Sequence, residues 1–202
     1  MGETAIRIVL ASQSPRRAQL LRMLGLAIET LPADVDETYH AGEEAGAHAE
    51  RLARAKVEAV AGRRPDAVII GSDTVVTVDG EVLGKPRDHT DAVRMLMRLQ
   101  GREHEVTTGI AVWRDELWSG VERVAVTFRP FDEQTAHRYA DTEEPMDKAG
   151  AYGIQGYGST LVERITGDYY AVVGLPIARM IELLAKAGLR YNFRGLETAP
   201  PS

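Results

Sequence analysis

The sequence predicts a mixed α/β protein, because apolar residues along its interior recur now at the strand period and now at the helix period. Two local signals support that class. Ala67 to Val78 is rich in β-branched residues (Val68, Ile69, Ile70, Val75, Val76, Val78), and it runs into Asp79-Gly80, a two-residue hairpin signal.

Composition sets the outer limits. At 202 residues, 44% hydrophobic and 27% charged, the chain can bury a sizeable core as one large domain or two lobes. A net charge of -6 argues against a dedicated nucleic-acid binder. The absence of cysteine excludes disulfides, thiolate metal sites and a Cys nucleophile. Met1-Gly2-Glu3-Thr4 opens no signal pattern and no apolar run reaches membrane-spanning length, so the expected protein is cytoplasmic with no membrane partner. His40, His48, His89, His104 and His137 have no metal-ligand spacing and are expected mostly at the surface.

Taken in order, Ile6, Ile8, Val9 and Leu10 read as a strand, followed by Ala11-Ser-Gln-Ser-Pro-Arg-Arg17 at the start of a helix with Leu20, Leu21 and Leu24 inward. Ser14 suits the N-cap, Pro15 the first helical position and Gly25 the stop. Arg16 and Arg17 then oppose the positive end of the helix dipole, which costs roughly 0.3–1 kcal/mol each unless an anion sits on top. Beside the hydroxyls of Ser12 and Ser14 they read either as a phosphate site or as a solvated basic helix start. The loop Leu31 to Glu37 places Asp34, Asp36 and Glu37 close together, which is either solvated or holds a cation.

Glu43 to Arg63 reads as a long helix with Ala49, Leu52, Ala53, Val57 and Val60 inward. Lys56 shares that stripe; it either snorkels to the rim or aims its ammonium at something anionic. Asp73 interrupts the strongest strand, so it should be paired, metal-bound or shifted in pKa, unless a bulge near Gly71 and Ser72 lets water reach it. Counting back from the hairpin sets Val78 opposite Glu81 and Thr74 opposite Lys85. A helix over Thr90–Leu99, strands over His104–Trp113 and Val121–Arg129 in mid-sheet, and a helix over Asp132–Asp141 follow. Thr142 to Gly158 has little periodicity and many glycines, and Gln155 there offers both a donor and an acceptor to a base edge. Leu161–Ile165 and Tyr169–Val173 read as strands, a helix starts at Pro176, and residues 191–202 read as a flexible tail.

Arg16, Arg17, Lys56 and Lys85 come from separate elements and together would neutralise a triphosphate. Asp36, Glu37 and Asp73 could hold a divalent metal that bridges its oxygens. The P-loop, kinase and Rossmann fingerprints are absent.

The ordered set Ser12-Gln-Ser-Pro-Arg-Arg17, Val35-Asp36-Glu37, Ala55-Lys56, Gly71-Ser-Asp-Thr-Val-Val76, Gly84-Lys85-Pro86, Asp147-Lys-Ala-Gly-Ala-Tyr-Gly-Ile-Gln-Gly156 and Val172-Val-Gly-Leu-Pro176 resembles the Maf family. That resemblance covers nearly the whole chain. It implies an α/β fold with a mixed central β-sheet flanked by helices, two-lobed and ITPase-like, with a cleft between lobes; residues 1–190 would be a single Maf-like domain. It also implies a nucleoside triphosphate pyrophosphatase acting on dTTP and UTP, with Asp73 as proton acceptor and Arg16, Thr74 and Gln155 helping to select the nucleotide. Combined with the charges, the expected substrate-binding residues are Ser12, Ser14, Arg16, Arg17, Lys56, Thr74, Lys85 and Gln155. Glu37 and Asp73 are the expected ligands of Mg²⁺ or Mn²⁺. A homodimer is left open, as are a 7-methyl-GTP pyrophosphatase and a non-catalytic, nucleotide-binding regulator of cell division. Ala171 stands where many members carry Asn.

Overall fold

A computed structural model of the chain describes residues 6–199. The amino-terminal tetrapeptide and the closing residues of the expected tail lie outside that range.

Strands β1 (Ile8–Leu10), β2 (Ile28–Thr30), β3 (Val68–Val78), β4 (Glu81–Leu83), β5 (Glu103–Trp113), β6 (Leu117–Phe128) and β7 (Val162–Thr166) form a seven-stranded sheet. Their order is β2-β1-β3-β5-β6-β7, with β4 paired on β3. β1 runs parallel to both neighbours, pairing Ile8 with Ile28 and with Val68, whereas β3–β4 and β6–β7 are antiparallel. The sheet is therefore mixed, as expected. β1 is buried on both faces, which is why it reads as a continuous apolar run without alternation.

Helices α1 (Pro15–Met23), α2 (Ala45–Ala61), α3 (His89–Leu99), α4 (Glu133–Ala140), α5 (Tyr169–Val173) and α6 (Ile177–Lys186) complete the fold. Ser14 caps α1 by accepting from the Arg17 N–H, and Asp88 and Asp132 cap α3 and α4 in the same way. Ala49, Leu52, Ala53, Val57 and Val60 of α2 are all buried. Among the described residues no helix is long and apolar enough to cross a membrane.

The chain divides into two compact units. The first holds residues up to Asp73, then Thr108–Glu122 and Gly174 onward; its core joins Val9, Ala53, Val57, Val60, Ile69 and Ala111. The second holds Thr74–Thr107 and Arg123–Val173, around Leu96, Val126, Phe128, Tyr152 and Leu161.

Several expectations are corrected. Tyr169–Val173 is a helix: the Asp168 carboxylate accepts from the Tyr170 N–H at 2.8 Å and its carbonyl from the Ala171 N–H at 3.1 Å, and this cap overrides the apolar run. β2 has no sequence signal because its half-exposed residues are held by pairing with β1. β8 (Leu189–Tyr191) runs up to the first residue of the expected tail and pairs with β9 (Leu196–Thr198) inside it, and the Tyr191 hydroxyl donates to the Leu24 carbonyl at 2.7 Å. Val78 does face Glu81, but the β3–β4 ladder ends at Val76–Leu83, so Thr74 and Lys85 are not partners in it. His48 and His104 are buried, unlike the other three histidines.

Candidate active site

The first unit gathers seven of the expected residues. β3 continues unbroken through Asp73, and no bulge is needed, because the carboxylate is paired. The Lys56 ammonium lies 2.7 Å from Asp73 Oδ1 and 2.7 Å from Glu37 Oε1. The lysine is buried along its length and so is most of Asp73, whereas the Glu37 side chain is 54% exposed. Glycine makes this approach of α2 to β3 feasible. A Cβ on Gly71 would stand 2.7 Å from Val57 Cγ2 and 2.8 Å from the Ala53 carbonyl, and one on Gly109 would strike the Ala49 carbonyl. α2 thus lies against bare backbone, and Lys56 emerges from its inward stripe directly at Asp73.

Arg17 adds a second cation. Its Nε donates to the Gly174 carbonyl at 2.8 Å and its Nη1 to Ser12 Oγ at 3.3 Å. Burial pulls its pKa below the ordinary value; Asp73 and Glu37 oppose that shift and neighbouring Arg16 adds to it. Ser12 Oγ also accepts from the Ser14 N–H at 3.1 Å, so both serines act as acceptors shaping the start of α1. Ser72, fully buried, has its hydroxyl 2.8 Å from the Gly109 carbonyl and 2.9 Å from that of Gly174, and donates its one proton between them.

The loop that carries Glu37 is clamped by residues no sequence motif singled out. Glu43 accepts from Arg51 Nε at 2.6 Å and Nη2 at 2.8 Å, and from His48 Nδ1 at 2.9 Å; Arg51 also donates to the Thr38 carbonyl at 3.0 Å. The Arg51 hydrogen bonds hold the Glu43 carboxyl far below the usual range against the cost of burial, so it is ionised and His48 Nδ1 carries the proton. Tyr39 stacks on His48 with ring centroids 3.4 Å apart. Its hydroxyl is buried without a hydrogen-bond partner, and burial, then the charges of Asp73 and Glu43, push its pKa up to about 12. The only sequence signal for this clamp is the three-residue spacing of His48 and Arg51 on one helix face.

Thr74, Lys85 and Gln155 belong to the second unit. Thr74 and Gln155 are half-buried and Lys85 is exposed. The weakly patterned stretch before Gly158 is ordered as 3-10 turns over Glu144–Asp147, Ala149–Ala151 and Gly156–Leu161. Gly150, at φ 70°, donates its N–H to the Gly84 carbonyl at 3.1 Å, next to Lys85.

Two carboxylates converging on one ammonium present hard oxygen donors to a cation, although among the described residues no group of three or more metal-ligating side chains occurs. Within this mixed α/β scaffold the first turn of α1 carries two arginines, and Arg17 lies in the field of both carboxylates of the lysine–carboxylate triad. Residues 7–187 match the family described as Maf-like protein, and the chain belongs to that family. It is 47% identical over 183 residues to the dTTP/UTP pyrophosphatase of Symbiobacterium thermophilum, covering 90% of this chain and 94% of the relative. It is 43% identical over 185 residues to the protein of the same name from Bacillus velezensis, covering 91% and 98%. Among solved structures, the Staphylococcus aureus Ham1 protein matches 60% of this chain and 71% of its own at 18% identity and a TM-score of 0.44.

Proposed function

We propose that this chain is a nucleoside triphosphate pyrophosphatase that hydrolyses dTTP and UTP to the nucleoside monophosphate and pyrophosphate. The observation that carries the chemistry is the Lys56 ammonium set between Asp73 and Glu37. The substrate class follows the names of the relatives at 43–49% identity.

In this reading Arg16, Arg17 and Lys56 hold the triphosphate, with Lys85 as a further cation. Ser12 and Ser14, which serve the loop as acceptors, keep their hydroxyl protons for phosphate oxygens. Lys56 exchanges a carboxylate for a phosphate oxygen, which leaves Asp73 to accept a proton from water. The water oxygen bonds to the α-phosphorus, the bond from that phosphorus to the oxygen bridging the β-phosphorus breaks, and pyrophosphate leaves. Arg17, already partly stripped of solvent, meets the charge on the phosphoryl oxygens with little reorganisation. Glu37 and Asp73 fit Mg²⁺ or Mn²⁺, a hard cation commonly held by one or two carboxylates together with substrate phosphates. When bound, such an ion supplies charge neutralisation across the phosphate oxygens. Arg16, Thr74 and Gln155 select the nucleotide.

The test is pyrophosphate release from dTTP, UTP, CTP, ATP, GTP and 7-methyl-GTP with Mg²⁺, with Mn²⁺ and with EDTA. Metal-dependent release concentrated on dTTP and UTP is expected. Release from 7-methyl-GTP alone would overturn the substrate, and no release from any nucleotide would overturn the activity.

A further inference from the structure

In the second unit, one phenol–carboxylate couple grips the backbone on both sides of Gln155. The Tyr139 hydroxyl accepts from the Gly153 N–H at 3.0 Å and donates to Glu144 Oε1 at 2.8 Å. Glu144 Oε1 also accepts from the Gly158 N–H at 3.0 Å, and Oε2 from the Tyr157 N–H at 3.0 Å. Gly156, at φ 68°, lets the chain fold onto the carboxylate, and a Cβ there would run into Glu144 Oε2. Burial raises the Glu144 pKa, but the Gly158 and Tyr157 amides and the Tyr139 hydroxyl bring it below the ordinary value, so the carboxylate stays charged. Lys148 reinforces the turn by donating to the Glu144 carbonyl and pairing with Asp147 at 2.6 Å.

Gln155 itself is different. Its flanking amides are bound, yet its side-chain carboxamide has no hydrogen-bond partner among the described residues, and it is half-exposed while Ile154 before it is buried. A rigid backbone with an uncommitted donor–acceptor head suits a group that reads a ligand, because little conformational entropy remains to be lost when it binds. We propose that Tyr139 and Glu144 are positioning residues that fix the Gln155 carboxamide for the N3–H and O4 edge of a thymine or uracil base. This rests on the function proposed above.

The experiment measures dissociation constants of α,β-imido-dTTP and α,β-imido-dATP by calorimetry for the wild type, Glu144→Gln, Tyr139→Phe, Gln155→Ala and Glu144→Gln/Gln155→Ala. Each single variant is expected to lower the preference for the thymidine analogue about tenfold. Affinity for inorganic tripolyphosphate should stay unchanged, and Glu144→Gln should add nothing to the loss once Gln155 is alanine. A preference retained in both Glu144→Gln and Tyr139→Phe would overturn the assignment. So would an equal further loss on the alanine background, which marks a merely structural role, or a Gln155→Ala protein that discriminates normally. Because the readout is binding, a wild type that binds the thymidine analogue without hydrolysing dTTP overturns the pyrophosphatase reading alone; one that binds neither analogue overturns both.

Discussion

The Lys56 ammonium and the Asp73 carboxylate, seventeen positions apart in sequence, meet at 2.7 Å with both side chains largely withdrawn from solvent. A buried ion pair contributes little net stability against an apolar replacement, but removing one partner leaves the other stranded. Asp73→Asn keeps the shape and removes the base. We expect turnover of dTTP to fall by about 10²- to 10⁴-fold, and the thermal midpoint to fall only modestly because Glu37 still faces the Lys56 ammonium at 2.7 Å, measured by pyrophosphate release alongside calorimetry. Near-full turnover would remove Asp73 from its role as proton acceptor.

Gly71→Ala should act on the same pair from a distance. The new methyl group would collide with Val57 and with the Ala53 carbonyl, pushing α2 off β3 and drawing Lys56 away from Asp73. A stability loss of about 1–3 kcal/mol in urea unfolding is expected, together with loss of turnover beyond what the unfolded fraction explains.

Tyr39→Phe should stabilise the fold. The phenol oxygen is buried without a partner, so deleting it removes a desolvation penalty of about 1 kcal/mol and raises the thermal midpoint by about 2–4 °C. A lower midpoint in differential scanning calorimetry would mean that the hydroxyl is satisfied after all.

His104 gives the protein an acid limit that sets in before its carboxylates titrate. Burial pulls its pKa down to about 4, and the ring is 2.8 Å from the Tyr152 hydroxyl. Between about pH 6.5 and 4 the unfolded chain binds a proton that the folded chain refuses. Stability therefore falls as pH drops through that window, by up to about 1.4 kcal/mol per pH unit, and flattens below it. His104→Gln, which can still pair with Tyr152, should unfold with a shallower pH dependence between pH 6.5 and 4.5, read from urea midpoints.

What was legible in the sequence was whatever depends on neighbours along the chain. Ser14-Pro15 sets the start of α1, Asp79-Gly80 sets the hairpin and the Val78–Glu81 register, and the apolar stripe of α2 predicts its buried face. Asp73 stood out because a carboxylate in a buried strand needs a partner, and Lys56 stood out because an ammonium in an apolar stripe needs one too. That each is the other's partner depends on how closely α2 approaches β3, which Gly71 decides and no periodicity records. The Glu43–His48–Arg51 clamp leaves little mark in the sequence because its members look like ordinary surface charges until Glu43 folds back on the helix. Tyr169–Val173 has the composition of a strand but folds as a helix because one side-chain cap outweighs its run of strand-forming residues.

The carbonyl of Gly174 receives Arg17 Nε and lies within reach of the Ser72 hydroxyl. Arg17 is 157 positions away from it along the chain. During vectorial synthesis the amino-terminal arginine, the mid-chain serine and both carboxylates emerge long before their shared acceptor does. A nascent chain halted short of residue 174 would thus already carry Arg16, Arg17, Lys56 and Asp73, yet lack the carbonyl that receives Arg17 Nε. Completion of this charged cluster therefore waits until residue 174 has left the ribosome.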